Sequence, residues 1–213
     1  TYTVSAMVEG NGTAIYRVDY VDLNGSGCKE VVVSWQMSTG VYLLGTYSLE
    51  EAMVRSLQYA ASAPAGSATA QGLPDREALR ATEWMTTVYD DYALYDLDQD
   101  TRTELAVVRV DKAGTNSAVD LYGWRDGSFM VRASTPLSMG ISSVEKNGVE
   151  TNFLKEDGDV PVRALYVSSE LADGHHVVDV VAYQDGNLKN LSLDENGVSR
   201  EMLDLSLIHI SEP

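Results

Sequence analysis

The sequence predicts an all-β chain built from repeated antiparallel meanders, and three observations carry that prediction. Two long segments align with one another. Each holds β-branched and aromatic runs of strand length. Asp-Gly pairs, the strongest short-range hairpin signal, punctuate the later runs.

The first copy, from Tyr16, reads YRVDYVDLNGSGCKEVVVSWQMSTGVYLLGTYSLEE, and the second, from Tyr89, reads YDDYALYDLDQDTRTELAVVRVDKAGTNSAVDLYGWRDG. Asp22 aligns with Asp96 and Glu30 with Glu104. After the glutamate each copy enters an apolar strand, Val31 to Trp35 and Leu105 to Val110. A second strand follows in each, Tyr42 to Tyr47 and Val119 to Trp124, and Asp126-Gly127 then signals a hairpin. A third, more worn copy begins near Lys155, with strands expected over Arg163 to Ser168, Val177 to Tyr183 and Leu188 to Leu193 and a hairpin at Asp185-Gly186. A small meander cannot bury both of its faces alone, so neighbouring units are expected to stack.

The repeat units run over about 16–58, 89–133 and 155–195, within one repeat domain spanning 1–204. Between the first two lies an insertion, 59–86. Its stretch Ala60 to Gly72 is rich in small residues and reads as a linker. Pro74 and the good helix formers behind it predict a short helix from Asp75 to about Met85. Ser48 to Glu51 has the form of a capping box, which would start a helix at Leu49. The repeat alignment favours a hairpin there instead, with a strand from Met53 to Gln58.

Composition narrows the function. The chain has 213 residues, 44% of them apolar, enough for a real core. With 32 acidic against 15 basic residues its formal charge is −17, which repels nucleic-acid phosphates and anionic lipid head groups and favours cations or basic partners. The single cysteine, Cys28, allows no internal disulfide. No apolar run reaches the roughly 20 residues that span a bilayer.

The acidic loops are the candidate site. DLNGSGCKE sets side-chain oxygens at Asp22, Asn24, Ser26 and Glu30, and DLDQDTRTE sets them at Asp96, Asp98, Asp100 and Glu104. A hard cation such as calcium takes about six to eight oxygens, and backbone carbonyls at the seventh positions, Cys28 and Arg102, would add to the set. The twelfth positions, Val33 and Val107, fall inside strands, which argues against an EF-hand. All ligands come from one local loop, so a bound metal would be structural. The competing reading is a solvated turn closed by Asp and Asn bonding to nearby backbone N–H groups.

This arrangement resembles the FG-GAP and VCBS repeats of integrin-like β-propellers, in which an acidic Asp-x-Asp-x-Asp-Gly-type loop joins the strands of a blade and binds calcium. The chain is also similar to surface lipoproteins of anaerobic Gram-positive bacteria that have no assigned activity. The resemblance covers the two loop-and-strand copies and more weakly the third, about half of the chain. It implies a partial β-propeller of about three blades with a short helical insertion, an extracytoplasmic or cell-surface location, and calcium in the loops. Both copies depart from the pattern: the first has Ser26 at a carboxylate position, and the second has Thr101 where glycine is expected, a costly place for a β-branched residue. The third offers Asp157 and Asp159, then Pro161 and Arg163.

Other candidates are weaker. His175 and His176 read as a surface turn, because adjacent strand residues point to opposite faces. Neither a Gly-x-Ser-x-Gly elbow nor a Gly-rich phosphate loop occurs in the sequence. Trp35, Tyr42, Tyr47, Tyr122, Trp124, Tyr166 and Tyr183 read as packing residues, with a carbohydrate or peptide platform as the alternative. The last nine residues, LSLIHISEP from Leu205, resemble the translation of a sequencing adapter, which would place the native sequence up to Asp204 and leave His209 without a role. With no initiator Met and strand-like residues at its start, the chain reads as open at both ends. The expected function is a non-enzymatic binding or adhesion module for an unknown protein or carbohydrate, with no catalytic residues. A polysaccharide-acting propeller enzyme, needing two carboxylates about 5–9.5 Å apart across a groove, and a pure scaffold are the alternatives. Open strand edges also predict self-association.

Overall fold

Twelve strands form three four-stranded antiparallel sheets in a computed structural model that describes residues 7, 8, 10, 12–50, 52, 54, 80–113, 115–154 and 161–194. The chain divides into two units, Thr1–Val88 and Tyr89–Pro213.

The first unit holds one sheet in the order β1-β2-β3-β4, with β1 Ala14–Val21, β2 Glu30–Gln36, β3 Tyr42–Ser48 and β4 Thr82–Tyr89. The run EVVVSWQ makes β2 a central strand with six successive buried residues, as expected of a strand covered on both faces. Its core joins Val31, Val33, Trp35 and Tyr47, with the Trp35 and Tyr47 rings edge to face at 5.6 Å. The edge strand β1 is exposed along most of its length.

The second unit holds two sheets. One runs β5-β6-β7-β8, with β5 Asp91–Tyr95, β6 Glu104–Arg109, β7 Ala118–Arg125 and β8 Ser128–Pro136. The other runs β12-β11-β10-β9, with β9 Ile141–Leu154, β10 Val162–Leu171, β11 His176–Gln184 and β12 Asn187–Asn190. One core joins Ala106, Val108, Val119 and Leu121 of the first to Leu165, Val167 and Val181 of the second. Both Asp-Gly pairs form the expected hairpins, with φ of 50° and 81° at Asp126-Gly127 and 53° and 77° at Asp185-Gly186. Paired positive φ values at both central residues give a turn whose twist matches its strands.

The all-β reading and its meander units therefore hold, with three corrections. Thr82 to Met85, expected in a helix from Asp75, belong to β4; residues 75–79 lie outside the described residues. Thr, Trp and Val side chains suit a half-buried edge strand, and pairing on β3 overrides the helix signal. The hairpin strand from Met53 to Gln58 does not form at Val54, because Glu50, Ala52 and Val54 are helical. The Ser48 hydroxyl accepts the Glu50 N–H at 3.3 Å, the capping interaction that the sequence offered against the repeat. The third copy's last strand is also shorter than expected, ending at Asn190. The linker Ala60 to Gly72, the acidic residues Asp157 and Asp159, and Leu205 to Pro213 lie outside the described residues.

Candidate metal centre

Each acidic loop leaves the first strand of its sheet and enters the second. Asp22 directly follows β1 and Glu30 opens β2; Asp96 directly follows β5 and Glu104 opens β6. The two share one frame. Leu23 and Leu97 are buried under their loops and donate their backbone N–H groups to Glu30 Oε2 at 2.8 Å and Glu104 Oε2 at 2.9 Å. The backbone turns at matching places, with φ of 73° at Gly25 and 83° at Gly27, against 62° at Gln99 and 75° at Thr101. These matched bonds and turns make the two loops one motif in structure as well as in sequence.

Their carboxylates are used differently. In the first loop Asp22 Oδ1 accepts the N–H groups of Gly25 at 2.7 Å and Ser26 at 3.1 Å, and Oδ2 accepts that of Gly27 at 2.8 Å. Asn24 Oδ1 accepts the Ser26 N–H at 2.8 Å, and Ser26 Oγ accepts the Cys28 N–H at 3.2 Å. The loop is thus closed by its own backbone donors, as in an Asx turn. Glu30 keeps a second oxygen, Oε1, that is buried with no hydrogen-bond partner. Burial first, and the nearby Asp22 charge after it, push the Glu30 carboxyl up from its ordinary value.

In the second loop Asp98 Oδ1 accepts only the Asp100 N–H, at 3.1 Å, and Asp100 Oδ1 accepts the Arg102 N–H at 2.9 Å. One carboxylate oxygen from each of Asp96, Asp98, Asp100 and Glu104 lies within 4.8 Å of the others, so the four could hold a metal ion. Among the described residues this is the one such group of acidic, histidine or cysteine side chains. Glu104 is buried, Asp96 and Asp98 are half-buried and Asp100 is exposed. Asp96 Oδ1 is buried with no hydrogen-bond partner. Burial, then the Asp98 charge, push the Glu104 carboxyl up to about 7, against the lowering effect of the Leu97 N–H.

Two guanidinium groups complete the site, and sequence reasoning missed both roles. Arg132 Nη1 lies 2.9 Å from Asp98 Oδ2 and 3.5 Å from Glu104 Oε1. Arg132 is the extra residue of a bulge in β8, where Tyr122 pairs with Val131 and Leu121 with Ala133. A bulge re-aims a side chain in this way. Gly123 leaves room for it, since a Cβ there would come within 2.6 Å of Arg132 Cδ. From β10, Arg163 Nη1 lies 2.5 Å from Asp96 Oδ2 and donates to the Asp96 carbonyl at 2.7 Å, with its guanidinium 5.3 Å above the Tyr95 ring. The sequence held no signal for either arginine beyond its charge, because both come from strands remote in the chain.

The remaining candidates are not among the four side chains of the acidic group. Cys28 and Arg102, at the seventh loop positions, are exposed. His175 and His176 are exposed and face separate acids, Asp173 at 3.1 Å and Glu145 at 2.7 Å. Trp35 and Tyr47 are core residues. Among the described residues no helix is long and apolar enough to cross a membrane. No family model, curated protein or solved structure matches the chain.

Proposed function

We propose that the chain is a non-catalytic, extracytoplasmic binding or adhesion module of β-propeller-like repeats, whose second acidic loop holds a structural calcium-type cation. The observation that supports it best is the convergence of Asp96, Asp98, Asp100 and Glu104 oxygens within 4.8 Å, with Asp96 Oδ1 buried and unpartnered. Such a set suits a hard cation, and an ion bound there would tie β5 to β6. The test is thermal unfolding in excess calcium and in chelator, with magnesium as control. A calcium-specific rise in Tm, absent in Asp96→Ala, is expected from linkage; ligand at about 100 times its Kd adds about 2.7 kcal/mol. A melt indifferent to calcium overturns the metal assignment.

A second reading is favoured by the arginines. Arg132 and Arg163 already neutralise part of the cluster, so the loop also suits a purely structural scaffold whose guanidinium groups stand where a cation would. On that reading calcium leaves the melt unchanged while loss of Arg132 lowers it.

A further inference from the structure

Asn24 is followed directly by Gly25, where the second loop has Asp98 and Gln99. The pair is held from below by Leu23, which is fully buried and donates its N–H to Glu30 Oε2 at 2.8 Å. Gly25 to Lys29 are exposed, so water reaches the pair.

Two hydrogen bonds on this pair have chemical consequences. The Gly25 N–H donates to Asp22 Oδ1 at 2.7 Å. The Ser26 N–H donates to Asn24 Oδ1 at 2.8 Å and is shared with Asp22 Oδ1 at 3.1 Å. The first bond sets a carboxylate on the proton of a backbone nitrogen. The second sets a donor on the oxygen of the side-chain amide next to that nitrogen. A base on the nucleophile and a donor where an oxyanion develops are the elements of attack on an amide. Glycine adds a nitrogen with no neighbouring Cβ to hinder its approach.

We propose that Asn24 is a self-modifying site, which loses its side-chain amide through attack by the Gly25 nitrogen. That nitrogen forms a bond to Asn24 Cγ while its proton passes to Asp22. The Cγ–Nδ2 bond then breaks, and the proton leaves with Nδ2 as ammonia. Water opens the cyclic imide at either carbonyl, giving an aspartate or an isoaspartate linkage. Water is the sole co-reactant, and nothing is oxidised or reduced. The product puts a carboxylate at position 24, so the acids of the first loop come to match Asp96, Asp98 and Glu104. The reaction needs no metal in either loop.

Asn147-Gly148 is the comparison within the same chain. It lies in β9, and Gly148 is buried. A Cβ on Gly148 would come within 2.6 Å of the Ser168 carbonyl oxygen and 2.8 Å of that of Glu145, so strand pairing holds this pair fixed and crowds the ring closure.

The test is incubation of the full chain in chelator at mildly alkaline pH, with peptide mass spectrometry reading amide loss at each asparagine. Position 24 is expected to convert about tenfold or more faster than position 147, with ammonia released in equal amount and both aspartate and isoaspartate formed. Asp22→Asn is expected to slow position 24 about tenfold or more. Mere loosening of the loop would instead speed it. The second measurement needs no variant: the wild-type chain unfolded in guanidinium is expected to convert position 24 more slowly than the folded chain. Conversion at position 24 no faster than at 147, an Asp22→Asn rate equal to or above wild type, or faster conversion on unfolding overturns the proposal.

Discussion

Glu104 accepts the backbone N–H of Leu97 at 2.9 Å from a position only 1% exposed, and its carboxyl is pushed up to about 7. A carboxyl whose folded-state value lies above its unfolded one holds its proton more tightly in the fold. Its contribution is therefore complete below about pH 4.5 and is lost as pH rises toward 7. The size of the loss is about 3 kcal/mol, at about 1.4 kcal/mol per unit. Urea unfolding in chelator from pH 4.5 to 8 is expected to show this decline, and Glu104→Gln to flatten it. A wild-type profile already flat in chelator would contradict the assignment. The Glu30 carboxyl is raised as well, so the double Gln variant is expected to be flatter than the single.

Arg132 is held by a bulge and by the space above Gly123, so its pairing with Asp98 and Glu104 is built into β8. Arg132→Met leaves half-buried and buried carboxylates facing each other without a counter-ion, at a cost of about 3–5 kcal/mol in chelator. Calcium is expected to restore part of this and to bind more tightly than in wild type, since a competing cation is gone. Chemical unfolding with and without calcium reads both effects. Gly123→Ala is expected to act in the same direction by displacing the arginine. A loss of stability that calcium leaves untouched would favour the scaffold reading.

The two loops turn alike with unlike residues. Thr101, at φ 75°, stands where the first loop has Gly27 at φ 83°. A left-handed conformation costs an ordinary L-residue about 1–2 kcal/mol. Thr101→Gly is expected to stabilise the chain by about 1 kcal/mol, part of the gain being offset by the freedom that glycine adds to the unfolded state. The reverse change, Gly27→Thr, is expected to destabilise by a similar amount for conformational reasons alone, because a Cβ on Gly27 would meet no atom within 4 Å. Thermal melts of the two variants check both signs, and equal signs would refute the shared geometry.

What could be read from the sequence follows from where its signals are local. The central strands β2 and β6 were legible because both of their faces are buried, which leaves long β-branched runs. The Asp-Gly hairpins and the strain at Thr101 were legible because turn geometry is set by a few adjacent residues. Strand β9 gave no signal: ISSVEKNGVETNFL is largely polar and mostly exposed, and its form comes from pairing with β10. The insertion misled because helix formers outweigh strand formers until the pairing partner is known, which is how Thr82 to Met85 were misread. The acidic residues of the centre could be named from spacing; Arg132 and Arg163 could not, being brought there by a bulge and by a neighbouring sheet.

Asp179 is the buried acid that spacing did not single out, although Asp120 repeats its place in β7. It is fully buried, and its carboxylate accepts the Ser138 N–H at 3.1 Å, the Ser138 hydroxyl at 2.8 Å and the Asn190 side-chain amide at 2.8 Å. Ser138 lies between β8 and β9, so the acid fixes the connection between the two sheets of the second unit to β11 and to the end of β12. Asp179→Ala removes three bonds and strands buried donors, each at about 1–3 kcal/mol, so a loss of at least 3 kcal/mol is expected. Asp179→Asn keeps the acceptor oxygen and is expected to recover part of it. Asp120 accepts Arg109 Nε at 2.5 Å and the Ser134 hydroxyl at 2.7 Å but borders an arginine side chain that is 44% exposed, so Asp120→Ala is expected to cost less. Urea unfolding of the three variants ranks them, and an Asp120→Ala loss equal to or above that of Asp179→Ala would show that burial of the network does not set its weight.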